Sequence, residues 1–448
     1  MSDLLSIGAS GVRAYQTALS TVSENIANSA TAGYVRRSTT LNEISGNRSG
    51  LTSTAVVTGS GVTVTGVTRS ADALKSAAVR SAGADLAKTE TGATWLTRIQ
   101  SAMTGDNLSD RLTGFYTAAT TLAGDPSSTT NRAAMLEAAA SAAGAFTATG
   151  RAVDQIGADL DTTADQATTQ LSSLASGLAA VNQGLSRTAG GTSAAANLAD
   201  QRDSILEQMS ALSDVNVTTD ALGRATVKMG GPNGATLVSG TDAGDVTYVR
   251  NADGAVSFAV HFGGATSAVE PTGGALAGVV DGAQKIKDAQ TQLDAIATGF
   301  TTSVNTVQTS GSDLNGAPGT AMFATGSAPT EISLALTDPS KIAAASSGGG
   351  PRDGSNLDVL QAARTSSGVE VKLTSLVADN AASISQRGIV ADAQSSIRDN
   401  AVASRDAASQ VDLNTEAVDL LRFQQAYSAA SRVVQVARDT FQSILDIR

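Results

Sequence analysis

The strongest periodic signal lies at the end of the chain. Residues 389–448 hold neither Gly nor Pro, and within them Leu413, Leu420, Tyr427, Val434 and Phe441 recur every seven residues. Phe423, Ala430, Ala437 and Ile444 stand three residues after the last four of these, an a/d heptad seam that predicts one long helix. The beginning of the chain carries a thinner seam, with Leu5, Val12, Leu19 and Ile26 spaced by seven and Tyr15 and Val22 in the row between. Two apolar stripes at opposite ends of one polypeptide are expected to pair. A third run, in which Leu160, Ala167, Leu174 and Val181 alternate with Ala164, Leu171, Leu178 and Leu185, predicts a helix over 151–187. Shorter helices are expected over 71–103, 109–123 and 193–212, with Asp125-Pro126 and Gly190-Gly191 as breaks.

The period changes to two between 215 and 274. Val215 and Val217, then 226–228, 237–238, 246–249 and 256–262, are short β-rich runs separated by Gly, Asn and Asp. Asn233-Gly234 and Asp253-Gly254 are hairpin-turn pairs, and a smaller hairpin is expected over 56–67 around Gly59-Ser60-Gly61. Helical spacing resumes over 283–307 through Ile286, Leu293, Ile296, Phe300 and Val307, followed by a Gly, Ser and Pro-rich irregular arm over 310–355. The expected fold is mainly α with an inserted small β domain. Its units are a terminal α-helical coiled coil from 1–36 with 412–448, an elongated helical rod from 37–213 with 275–411 carrying a small β-hairpin, and a β-rich outer domain over 214–274.

Composition narrows the chemistry. The chain has 448 residues, 41 acidic against 30 basic, and a net charge of −11, so its field repels nucleic acid and anionic lipid. Only 3% of residues are aromatic, which leaves cores to be built from small side chains and thin aliphatic stripes. With no cysteine and one histidine, disulfides, thiol chemistry and most imidazole-based sites are removed. The opening residues lack a basic region followed by an apolar run, and no stretch reaches the ~18 apolar residues of a membrane span, so neither a cleavable signal nor membrane insertion is expected.

No catalytic, cofactor or metal site is expected. His261 shares a strand face with Ser257 and Ala259 and is expected to face solvent, with no orienting carboxylate or nucleophile placed beside it. Asp313-Leu314-Asn315-Gly316 lacks the alternating ligands and closing Glu of a calcium loop and reads as a turn. The glycine clusters at 230–234 and 347–351 lack the strand-loop-helix order of a phosphate cradle. Asn25, Asn28 and Gly33 are expected to close the first helix, since Asn and Gly accept the left-handed cap conformation.

The N-terminal stretch containing Ile7-Gly8, Ser10-Gly11, Ala14, Gln16, Ala18-Leu19, Ser23, Asn25-Ile26-Ala27-Asn28, Thr31, Gly33 and Tyr34 resembles the signature of bacterial flagellar axial proteins of the rod, hook and hook-associated group. At the other end, Glu416-Ala417-Val418 and Leu421-Arg422-Phe423-Gln424-Gln425-Ala426-Tyr427 are similar to the hook-associated protein 1 branch of that family, as are the stretches at 273–282, 311–319 and 336–346. Ala32 stands where the family usually has proline, and the β insert is short and without a strong family signature.

The resemblance implies a secreted structural protein of the bacterial flagellum at the hook-filament junction, exported unfolded through the flagellar type III channel. It implies self-assembly into a ring, contact with hook protein and hook-associated protein 3, and a cytoplasmic export chaperone that takes the C-terminal helix. Subunit assembly would then fall to Leu5, Val12, Tyr15, Leu19, Val22 and Ile26 at one end and to Leu413, Leu420, Phe423, Tyr427, Val434, Phe441 and Ile444 at the other. The competing readings are another axial subunit, hook or rod, which the wording of 421–427 disfavours; a peptidoglycan hydrolase, which needs a paired acidic site; and a chemoreceptor-like coiled coil, which needs a membrane span.

Overall fold

A computed structural model describes residues 2–44, 60–251 and 254–446. The chain begins with α1 (Ser2–Ala27) and an antiparallel pair, β1 (Arg37–Glu43) and β2 (Val62–Arg69). Four helices follow: α2 (Ala73–Gly105), α3 (Leu108–Gly124), α4 (Thr129–Arg187) and α5 (Ser193–Leu212). Seven strands come next: β3 (Val215–Thr219), β4 (Ala225–Met229), β5 (Ala235–Ser239), β6 (Asp242–Ala243), β7 (Asp245–Arg250), β8 (Val256–Phe262) and β9 (Ala265–Val269). Then come α6 (Gly274–Ser310), the short pair β10 (Phe323–Thr325) and β11 (Ile332–Leu334), and the closing helices α7 (Ser355–Ser367), α8 (Val369–Ser409) and α9 (Leu413–Asp446). The fold is mainly α with small antiparallel sheets, as the hydrophobic pattern predicts.

Helix starts are set by short polar side chains that accept from otherwise unpaired backbone N–H groups. Asp72 accepts from Leu74 and Lys75 at the head of α2, Ser128 from Asn131 at α4, and Thr192 from Ala195 at α5. The fourth helix begins at Thr129 rather than near 151. Its first turns lack a leucine stripe but are rich in alanine, the best helix former, and bury Met135, Ala139, Ala142 and Phe146.

Two expectations need correction. The Gly-free and Pro-free tail is two helices, divided at Gln410 to Asp412. The Asp412 carboxylate accepts from the Asn414 N–H at 2.9 Å, so an aspartate starts the second helix without any helix breaker. The strand at Val62–Arg69 pairs with Arg37–Glu43, Arg37 opposite Arg69 and Glu43 opposite Val62, not within 56–67. Residues 56–59 of that expected hairpin, and Asp253 of another turn, lie outside the described residues.

The core is one continuous apolar cluster from the helices into the sheets. Its centre is aromatic: Phe300 packs against Phe115, Phe146, Phe323 and Tyr116 with ring centroids 5.1 to 6.4 Å apart. The scarce aromatics are thus concentrated where α3, α4, α6 and the arm after α6 converge. The sheets β3-β4-β5-β6 and β7-β8-β9 lie against the later turns of α4. Val227, Val238, Val246 and Phe258 there join Leu171 and Leu178 in the same core.

The irregular arm is held by buried polar groups. Arg132, 1% exposed, donates to the carbonyls of Pro126 and Ile342 at 2.7 Å each. Asn356 donates to those of Val307 and Ala343. Asp313 accepts from the N–H groups of Asn315 and Ala317 and from Lys341, the turn expected from its sequence. Those charge-assisted bonds hold its carboxyl below the ordinary aspartate range against the opposing effect of burial.

Candidate functional site: the paired chain ends

Helices α1 and α9 run antiparallel. Gly8 lies against Val434, Gly11 against Ala430, the Tyr15 ring 6.4 Å from that of Phe423, and Asn25 against Glu416. The line that α1 buries is Gly8, Gly11, Ala14, Ala18, Thr21, Val22 and Asn25. It sits beside the row that periodicity singles out. Val12, Tyr15, Leu19 and Ile26 are half-buried on its shoulder, Val22 is buried, and Leu5 is exposed. The reason is close approach: a seam of Gly and Ala lets two helix backbones come together, which pushes larger side chains to the flanks.

The partner helix behaves the same way. Leu420, Phe423, Tyr427, Ala430 and Val434 are half-buried and Ala437 is buried, whereas Leu413, Phe441 and Ile444 stand exposed. Within the 421–427 motif, Phe423, Ala426 and Tyr427 turn inward, while Leu421, Arg422, Gln424 and Gln425 face out. The Arg422 guanidinium lies 4.7 Å from the Phe423 ring centroid. A groove of about 490 Å³ opens along the pair, lined by Ile7, Gly8, Gly11, Tyr15, Val62, Ala426 and Val433 among others.

At the base of the pair lies a polar knot. Asn25 uses its whole amide: Nδ2 donates to the Arg37 carbonyl at 2.8 Å and to Glu416 Oε2 at 3.0 Å, while Oδ1 accepts from the Arg37 N–H and the Tyr34 hydroxyl. Asn25 is therefore a tertiary hub and not a cap. Helix α1 is closed instead by Asn28, whose side chain donates back to the Glu24 carbonyl, while Gly33, at φ +78°, lies six residues past the helix end in the turn that leads to β1 and does not cap it. Ala27 faces solvent beside the half-buried Ile26. Burial raises the Tyr34 hydroxyl above its ordinary pKa, with the nearby Arg37 cation opposing.

Glu416 has no exposed side-chain surface and also accepts from Arg36 Nε at 2.7 Å. Arg36 and Arg37 diverge from one point of the backbone. Arg36 reaches α9, and its N–H bonds the last carbonyl of α8 at Ser409. Arg37 reaches Asp200 and Asn197 in α5, where Asp200 also holds Arg69 of β2. The knot thus fastens the terminal pair to the body of the protein.

Sequence reasoning gave no buried, chain-fastening role to Glu416, Arg36, Arg37 or Asp200, Glu416 appearing only within the family motif. A signal existed for one of them: Glu416 lies seven residues before Phe423, in the row of Ala430 and Ala437, so a charge occupies an apolar seam position. His261 bonds the Thr247 and Thr266 hydroxyls through its two ring nitrogens. Among the described residues no group of three or more His, Asp or Glu side chains can hold a metal, and no helix is long and apolar enough to cross a membrane.

A helical body with a small β insert, closed by pairing of its own two ends, defines the structural class. Residues 96–323 match the model of the flagellar hook-associated protein FlgK helical domain, and 404–447 match that of the flagellar basal body rod FlgEFG protein C-terminal region. The chain belongs to the flagellar hook-associated protein FlgK family. It is 28% identical over 338 residues to flagellar hook-associated protein 1 of Salmonella typhimurium and 26% identical over 337 residues to that of Escherichia coli, covering 73% of this chain and 60% of each relative. It therefore spans about three fifths of the length of these relatives. The flagellar hook junction protein FlgK from Burkholderia pseudomallei shares its fold with a TM-score of 0.50 at 23% identity, over 55% of this chain and 46% of that one.

Proposed function

We propose that this protein is a structural junction subunit joining the bacterial flagellar hook to the filament, and that it assembles as a ring through α1 and α9. The observation that carries the proposal is where apolar surface is left uncovered. Among the described residues, ten of the eighteen large apolar side chains that stand exposed lie on these two helices, including Leu4, Leu421, Val436 and Leu445. A concentration of this kind marks an interaction surface. Each such residue gains ~1.5–3 kcal/mol on full burial, so neighbouring copies supply stability that the lone chain lacks.

In this reading the ends 1–36 and 412–448 form the assembly unit, 37–213 with 275–411 the rod, and 214–274 an outward-facing β domain. The activity is assembly, with no bond made or broken. Hook protein and hook-associated protein 3 are the neighbours along the axis, and an export chaperone takes the C-terminal helix before secretion. Removing the residues after Asn414 is expected to abolish chaperone capture in a pull-down.

Immunogold labelling of isolated flagella tests the placement. A narrow band of label where hook meets filament is expected. Label spread along either shaft would instead favour a hook or rod subunit, the reading to which the match of 404–447 to a rod-protein model also lends itself.

A further inference from the structure

The apolar part of the α1/α9 seam is degenerate. The line of α1 beside α9 runs through Gly11 and Ala18, seven apart, and the α9 row that Gly11 meets at Ala430 runs through Phe423, Ala430 and Ala437 at the same spacing. Sliding by a heptad so that Ala437 faces Gly11 replaces one small-residue contact with another, a seam that specifies register weakly, whereas the opposite slide brings Phe423 to Gly11. One position breaks the repeat. Glu416 continues the Phe423, Ala430, Ala437 row, and Asn25 continues the Gly11, Ala18 row. These two polar residues face each other at 3.0 Å in a fully buried site.

We propose that Glu416 is the register-setting residue of the terminal pair. In the observed register its two carboxylate oxygens are taken by Asn25 and Arg36. A slip of one heptad towards the N-terminus of α1 brings Glu416 opposite Ala18 and leaves a buried carboxylate without a donor. The opposite slip removes it from Asn25 and strands a buried amide. Either arrangement is disfavoured by the cost of an unpaired buried polar or charged group. The pair Asn25–Glu416 therefore decides which exposed residues of α1 and α9 stand side by side. The proposal concerns contacts inside one chain and holds whether or not the protein forms a ring.

The test reads register directly. The chain has no cysteine, so introduced thiols are the only ones. The Cβ position of residue 11 lies 3.1 Å from that of Ala430, and a few tenths of an ångström of opening gives disulfide geometry. The full chain is oxidised at high dilution with one reporter pair at a time, G11C with A430C for the native register and G11C with A437C or F423C for the two slips. Intramolecular cross-links are scored as a gel shift of the monomer. With Glu416 present, the 11–430 link should form at least tenfold faster than either slip reporter. In the Glu416→Leu background the slip reporters should rise to within threefold of it. Glu416→Gln keeps one acceptor oxygen, enough for Asn25 or Arg36 but not both, and should hold a native preference between those of the parent and Glu416→Leu. Retention of the parent's preference in Glu416→Leu, or loss of all three links there, would overturn the proposal, since register would then be set elsewhere or Glu416 would supply only adhesion.

Discussion

Arg37 and Asp200 meet at 2.8 Å with the arginine side chain only 2% exposed, and the same carboxylate holds Arg69 at 2.6 Å. One aspartate in α5 thus compensates two guanidinium groups that arrive from β1 and β2. Replacing Asp200 by Ala leaves Arg69 with Asp203 at 2.8 Å and Arg37 with Glu24 at 3.4 Å as their remaining counter-charges, and the expected loss of stability is about 1.5–3 kcal/mol, that of hydrogen bonds to charged groups. Denaturant unfolding measures it. Arg98 and Asp159, both more than two fifths exposed, are the control: Arg98→Ala should cost less than about 1 kcal/mol. Equal losses in the two variants would contradict the role given to burial.

Phe300 is fully buried and touches four other rings. Phe300→Ala should cost about 3–5 kcal/mol in thermal or chemical unfolding. Phe441 is 56% exposed on α9. Phe441→Ala should change the stability of the free chain by no more than about 0.5 kcal/mol, yet weaken incorporation into flagella. The contrast separates a residue that holds the fold from one that awaits a partner.

Leu420→Asp and Phe423→Asp place a charge in the half-buried seam of α9. Both variants should lose incorporation at the hook tip, while the sheets over Val215–Val269 stay folded, as judged by protease resistance or amide exchange. Normal filaments from either variant would remove the seam from the assembly mechanism.

Glu370 joins α7 and α8 through Arg364, at 2.5 Å, and receives the Thr113 hydroxyl from α3. The hydrogen bond from Arg364 depresses its pKa below the ordinary value of 4.5, with desolvation opposing. A depressed carboxylate contributes stability that is present above the unfolded-state pKa and lost as pH falls through the folded-state value. Glu370→Gln should therefore shrink the loss of stability on acidification below about pH 4.5, read as the slope of melting temperature against pH. An unchanged slope would show that the pair does not couple to folding.

Gly282 in α6 packs against Trp95, and an added Cβ there meets the indole ring. Gly282→Ala should destabilise by about 1–3 kcal/mol through overpacking, although alanine is the better helix former. Calorimetry that finds the variant more stable than the parent would show that the ring can yield.

Sequence pattern was most informative where one period ran for several turns. The helix Ser193–Leu212 was expected with the bounds it has, because a polar cap and a glycine pair frame it. The first turns of α4 were missed, since alanine marks neither face of a helix although it favours both. The division at Gln410 to Asp412 was missed because an aspartate can begin a helix or decorate one, and only the path of the chain past Arg36 distinguishes the two. The apolar rows near the chain ends were visible as heptads, but their side chains landed on the shoulders of the pair. Periodicity gives the face of a helix to within about one position, and the exact line of contact follows from how closely the backbones approach.

From its residues alone the polypeptide declared two heptad-bearing ends, a β-rich interruption, an absence of thiols and the motifs of a flagellar family, because these properties are local or nearly so. Folding in three dimensions decided that α1 and α9 are antiparallel, that glycine and alanine form their contact line, and that Asn25, Arg36 and Glu416 meet in one buried knot. Those facts join residues 391 positions apart, and no local pattern encodes which distant donor a buried carboxylate will find; that is settled only when every polar group taken out of water must be paired at once.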